Sequence, residues 1–98
     1  MSRRLIVRPE AEAEMADAFG WYEDRVPGLG DAFLLCVDAV FHAARRNPRQ
    51  FPQVHRVIRR ALVRRFPYEV FFVEDVEGVV VLSVFHAKRN PMRWQARA

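Results

Sequence analysis

"YEVFFVEDVEGVVVLSVFH", Tyr68 to His86, is the stretch on which the fold turns. Tyr68, Val70 and Phe72 alternate against Glu69, Phe71 and Val73, the period of two expected of a strand. The acidic run "EDVEG" supplies a turn, with Gly78 available for a positive φ. Val79 to Phe85 is apolar on both faces, which marks a central strand. The last strand then runs straight into "HAKRNPMRW", where His86, Lys88, Arg89, Arg93 and Trp94 follow in close order.

Outward from this hairpin, "RVIRRALVRRF" is a third strand candidate, rich in apolar and β-branched residues but threaded with Arg56, Arg59, Arg60, Arg64 and Arg65. Read as one strand, it places Arg60 and Arg64 on one side and Arg59 and Arg65 on the other. The first half of the chain is helical. "RRLIVR" is a short strand closed by Pro9, which suits the first turn of a helix. Ala11, Met15, Ala18, Phe19 and Tyr22 then form one apolar stripe, with Glu10, Glu12 and Glu14 in the turns where the helix dipole favours anions. "VPGLGD" breaks that helix, and Phe33, Cys36, Val37, Val40, Phe41 and Ala44 form a second stripe ended by Asn47-Pro48. The order is β-α-α-β-β-β, an α+β domain in which an antiparallel sheet packs against an α-helical hairpin.

Size and composition agree with one domain over residues 1–98. An apolar fraction of 51% is ample for a core and argues against disorder. No apolar run approaches the ~20 residues needed to cross a bilayer, and the N-terminus holds no signal-peptide stretch, so a cytoplasmic protein with no membrane partner is expected. The single cysteine, Cys36, fits a reducing compartment and reads as a small core filler.

Charge is segregated. Residues 1–44 carry 4 Arg and 8 acids, a net of −4, whereas residues 45–98 carry 11 Arg, 1 Lys and 4 acids, a net of +8. The second half therefore faces something anionic, either nucleic acid or an acidic protein. Codon usage accounts for Arg over Lys; it does not account for the segregation. His86 is the natural general base if the chain is an enzyme, since unperturbed histidine titrates near pH 6.5. It equally reads as a residue closing the core. His42, in the second helix, and His55, in a Pro-containing loop, lack the spacing of a metal site, and no metal or other cofactor is expected. Trp94 and Phe66 read as rings on which bases could stack, or Trp94 as the closure of one end of the core under a short terminal helix or turn, and Trp21 lies off its helix stripe, as an edge contact or a partner-binding surface.

The stretches "RPEAEAEM", "WYED", "ARRNP", "IRRALVRRFPYEVFF" and "LSVFHAKRNPMRW" together resemble the RelE/ParE toxins of bacterial type II toxin–antitoxin systems, over residues 4 to 97. The resemblance implies a compact toxin held inactive by a cognate acidic antitoxin, whose apolar residues cover the helical hairpin and a sheet edge and whose carboxylates answer the Arg cluster. Operator DNA would be reached only through the antitoxin. Two mechanisms follow from the two branches. ParE-like, plasmid-stabilisation members inhibit DNA gyrase by binding it. RelE-like members cut mRNA on the ribosome without metal, and here that would use Arg60, Arg65 and Arg89 on the phosphate, His86 as acid or base, and Lys88 assisting. The closing "QARA" has no tyrosine, and the likeness is closer to the ParE-like branch. On that reading Arg59, Arg60, Arg64, Arg65, Lys88, Arg89, Arg93, Trp94 and Trp21 form the surface for target or antitoxin. A small basic nucleic-acid-binding domain without toxicity is the third reading.

Overall fold

The computed structural model of the chain describes residues 3–89 and 92–97. Its elements in order are β1 (Arg4–Val7), α1 (Pro9–Arg25), α2 (Leu29–Arg46), a 3-10 turn at Pro48–Gln50, β2 (Gln53–His55), β3 (Ile58–Leu62), β4 (Tyr68–Asp75), β5 (Gly78–His86) and α3 (Met92–Gln95). The strands form one sheet in the order β1-β5-β4-β3-β2. This is the expected α+β arrangement with two refinements. The loop expected around His55 contributes a short edge strand, and the sheet is mixed, because β1 runs parallel to β5 while every other pair is antiparallel. A parallel partner is what an intervening helical hairpin allows, since it returns the chain to the same end of the sheet.

The hairpin forms where the two stripes place it. Pro9 opens α1 behind an extended Arg8, with Glu10 and Glu12 in the first turn. Gly28, at φ 89°, carries the chain into α2 through a left-handed conformation that a side chain resists. The free N–H groups at the start of α2 have no cap from their own N-cap residue. Glu23 of α1 supplies it, accepting from the N–H of Gly28 at 2.8 Å and of Gly30 at 3.0 Å. Phe33, Val37, Phe41 and Ala44 of α2 and Ala11 and Ala18 of α1 are buried against Val70, Phe72, Val79, Val81 and Val84 of the sheet. Truncating a ring such as Phe33 in this cluster costs about 3–5 kcal/mol.

The far side of the sheet carries a second apolar cluster of Ile58, Phe71, Val80, Leu82 and Phe85. Trp94 of α3 covers it, its ring stacked on Phe71 with centroids 3.8 Å apart and planes 11° apart. The core-closing role expected of Trp94 is the one it has. Both faces of β5 are therefore buried, as its uninterrupted apolar run requires.

One irregularity decides how β5 ends. Phe71 pairs with Ser83 and Phe72 with Val81, so Leu82 is an extra residue in β5. Leu82 packs on the far cluster and Val84 on the helix side. The simple alternation that sets Leu82, Val84 and His86 on one face thus fails, because the bulge changes the phase between them.

The hairpin turn yields the first prediction. Gly78 sits at φ 149°, and a Cβ there would run into the backbone of Arg4 in β1, whose nitrogen would lie 2.8 Å away. Gly78→Ala should lower stability by about 2 kcal/mol or more, read as a shift of the urea midpoint.

Candidate target-binding surface

The end of β5 is held by two side chains from opposite ends of the sequence. β1 accompanies β5 only as far as Val81, so the strand beyond has no neighbour on that edge. Glu14 of α1 reaches it: one carboxylate oxygen accepts from the Ser83 hydroxyl at 2.9 Å, from the Val84 N–H at 3.2 Å and from Arg97 at 3.0 Å. Arg97 also donates to the Leu82 carbonyl at 3.2 Å, and Arg8 donates to the Arg97 carbonyl at 3.3 Å. This network docks the C-terminal segment at the sheet edge. Sequence reading passed over both residues, since Glu14 looked like one of three acids in a first turn and Arg97 like one of eleven arginines in a basic half.

His86 pairs across the ladder with Tyr68, their rings 5.2 Å apart at 77°. The Lys88 N–H donates to His86 Nδ1 at 3.1 Å, and the Arg89 N–H to the His86 carbonyl at 3.1 Å. The strand end is thereby turned into a tight loop that presents two consecutive cations. The side chains of Lys88 and Arg89 have no carboxylate partner among the described residues.

Two clefts meet at His86 and Arg89. On the helix side a cleft of about 670 Å³ is lined by Asp17, Trp21, Tyr68, His86, Lys88 and Arg89, among others. On the other side a smaller cleft of about 270 Å³ brings Arg60, Glu69, His86, Arg89 and Trp94 together. Trp21 is 53% exposed, with the Arg25 guanidinium 3.9 Å from its ring centre. Burial raises the Tyr68 phenol above its ordinary range; Arg89 opposes this, and Asp17 and Glu14 add to it. Burial also raises Tyr22, helped by Tyr68.

The remaining arginines divide. β3 ends at Leu62, so Arg64 and Arg65 stand in the following turn and share no strand face with Arg59 or Arg60. Arg65 takes a left-handed backbone at φ 59° and lies over the Phe66 ring at 5.5 Å, lining neither cleft. Arg59 turns inward and donates to the Phe51 carbonyl at 2.7 Å, a structural bond. Arg60 holds a long ion pair with Glu69 at 3.8 Å. β4 separates β3 from β5, so the Arg-rich strand is no direct neighbour of the His86 strand. The side chain of Arg93, and Asn90 and Pro91, lie outside the described residues.

Comparison with known proteins places this architecture. A family model described as the ParE toxin of the type II toxin–antitoxin system parDE matches residues 5–91. The chain belongs to the ParE toxin family. Toxin ParE2, from two strains of Mycobacterium tuberculosis, is 33% identical over 92 residues, covering 93% of this chain and 88% of the relative. In fold, the chain matches a solved structure of the chromosomal ParDE TA system from P. aeruginosa with a TM-score of 0.78, covering 89% of this chain and 98% of that one at 13% identity. As a ParE toxin, the chain has a cognate antitoxin as its partner. No helix among the described residues is long and apolar enough to cross a membrane.

The geometry makes two predictions. Glu14→Ala or Arg97→Ala should each cost about 1–3 kcal/mol, because the first leaves the Val84 N–H and a cation without their acceptor and the second leaves a part-buried carboxylate unpaired. Both should also raise the solvent exposure of Trp94, read by acrylamide quenching. The tyrosines set an alkaline limit. Their folded pKa values lie above the unfolded value near ~10, so the stability they support is complete below that pH and declines as pH rises through the folded values. Tyr68→Phe should flatten the fall in urea midpoint between about pH 9 and about pH 11.

Proposed function

We propose that this ParE toxin acts by binding DNA gyrase and inhibiting supercoiling, in the cytoplasm, and that an acidic antitoxin keeps it inactive. The observation that carries a binding mechanism is the bond from the Lys88 N–H to His86 Nδ1. A backbone N–H can only donate, so Nδ1 is the unprotonated nitrogen and Nε2 carries the proton of the neutral ring. A general base would need a free lone pair at Nε2, and the tautomer that offers one breaks the bond shaping the loop. His86 is a shape-giving residue for Lys88 and Arg89, whose charges are free to meet an anionic patch on the target. Arg65, wanted for phosphate chemistry, lines neither cleft beside His86.

The antitoxin reading is supported at two places. Met15, Leu34, Leu35 and Phe41 leave an apolar groove of about 510 Å³ on the helical hairpin, with Leu35 71% exposed. Arg64, Lys88 and Arg89 carry cations without carboxylate partners among the described residues, matching an acidic segment. Operator DNA is reached through the antitoxin. Metal-free mRNA cleavage is the second reading, favoured by the meeting of Arg60, His86 and Arg89 in the smaller cleft; there His86 Nε2–H would serve as a donor, with Lys88 and Arg65 acting from outside it.

His86→Asn separates the two. The Asn side-chain oxygen can still accept the Lys88 N–H, so on the binding reading inhibition of supercoiling stays within about threefold of wild type. The Lys88→Ala, Arg89→Ala double variant should lose at least about tenfold. Supercoiling left intact by an excess of the wild-type chain sinks the gyrase reading. New transcript ends on induction, abolished by His86→Asn, would establish the nuclease.

A further inference from the structure

The helix-side cleft sets Lys88 and Arg89, which the proposed target also meets, beside aromatic rings and a carboxylate that the proposed target binding does not use. We infer that it binds a guanine mononucleotide, with the phosphate on Lys88 and Arg89, the base among the Trp21, Tyr22 and Tyr68 rings that line it and the base edge on Asp17. This goes beyond the proposed function and holds whichever target the toxin has.

The cleft's two sides carry opposite charge. α1 contributes Asp17, which has no ion pair or hydrogen-bond partner among the described residues, while the strand end contributes Lys88 and Arg89, equally unpaired. Among the described residues no pair of these charges comes within 4.0 Å. Between them runs a chain of rings: Trp21 on Tyr22 at 5.2 Å, Tyr22 on Tyr68 at 6.2 Å, Tyr68 on His86 at 5.2 Å. The volume of about 670 Å³ is that of a small-molecule site. A fitting ligand is planar and aromatic, anionic at one end and rich in N–H donors at the other.

Nucleotides have that form, and the donor end selects among them. A carboxylate has only acceptors. Guanine alone presents two adjacent donors, N1–H and the N2 amino group, which a carboxylate takes side by side. Adenine and cytosine set one amino group beside an acceptor nitrogen that repels Asp17, and uracil flanks its single N–H with two carbonyls. Glu14 is occupied by Ser83, Val84 and Arg97, which leaves Asp17 as the reader.

Isothermal titration of the full chain with GMP, AMP, CMP, UMP and guanosine tests this. GMP should saturate one site and bind at least about tenfold more tightly than the other three nucleotides. Asp17→Asn, at an exposed position, should weaken GMP at least about tenfold and abolish the preference, while Asp17→Glu retains part of it. Lys88→Ala with Arg89→Ala should weaken GMP and leave guanosine unchanged. The inference is overturned if GMP shows no saturable binding, if the four nucleotides bind alike as they would at a plain anion site, or if folded Asp17→Asn binds GMP as wild type does.

Discussion

The Glu14 carboxylate at the edge of β5 is the constraint on which the end of that strand and the docking of the C-terminal segment depend. An extra residue, Leu82, throws β5 out of step and β1 stops short beside it, so backbone groups near Ser83 face no strand. A buried N–H left without an acceptor costs about 1–3 kcal/mol. Glu14 meets the Val84 N–H and the Ser83 hydroxyl with one oxygen, and the resulting part-buried anion needs a cation. Arg97 is that cation. Satisfying one bulge thus brings the last turn of the chain against the sheet, and with it Trp94 onto Phe71.

The bulge also decides what His86 can be. Without the extra residue, the alternation from Val81 would carry the strand end to a different facing. With it, His86 sits opposite Tyr68 and bounds a cleft on each side of the sheet. Its Nδ1 is then spent on the Lys88 N–H, a local bond available only because the strand ends there. A hydrogen-bonding requirement inside the fold and the display of Lys88 and Arg89 outside it are one arrangement.

Much of this was legible in the sequence. The helix stripes, the Gly78 turn, the apolar run of β5, the exposed Trp21 and the core-closing Trp94 all follow from periods of 3.6 and 2 and from residue chemistry. The resemblance carried by "FPYEVFF" and "HAKRNP" gave the family. The bulge was not legible, because Leu82-Ser83-Val84 has no glycine or other mark of an irregular backbone. β2 was missed because three residues between Pro52 and Arg56 carry too little pattern to separate a strand from a loop. The reading of Arg59, Arg60, Arg64 and Arg65 as one strand failed because alternation was extended past Leu62, where the backbone turns.

Those arginines show why counting charge is a weaker guide than asking what each charge is for. Arg59 and Arg97 are as cationic as Arg89, yet one is bound to the Phe51 carbonyl and the other to Glu14 and Leu82, so neither is offered to a partner. Arg3 and Arg49 share Glu74, and Arg60 leans on Glu69. The net of +8 in the second half already counts the pairs within it, Arg49 with Glu74 and Arg60 with Glu69, and does not say which cations face a partner. Among the described residues of that half, exposed cations without a carboxylate partner stand in the loop after β5 (Lys88 and Arg89) and the turn before β4 (Arg64 and Arg65), and also at Arg46 and Arg56. Exposed ion pairs contribute little to stability, so the fold gains almost nothing from these residual cations. Of these unpaired cations, Lys88 and Arg89, beside clefts lined with aromatic rings, are the feature on which the proposed binding of an acidic partner rests.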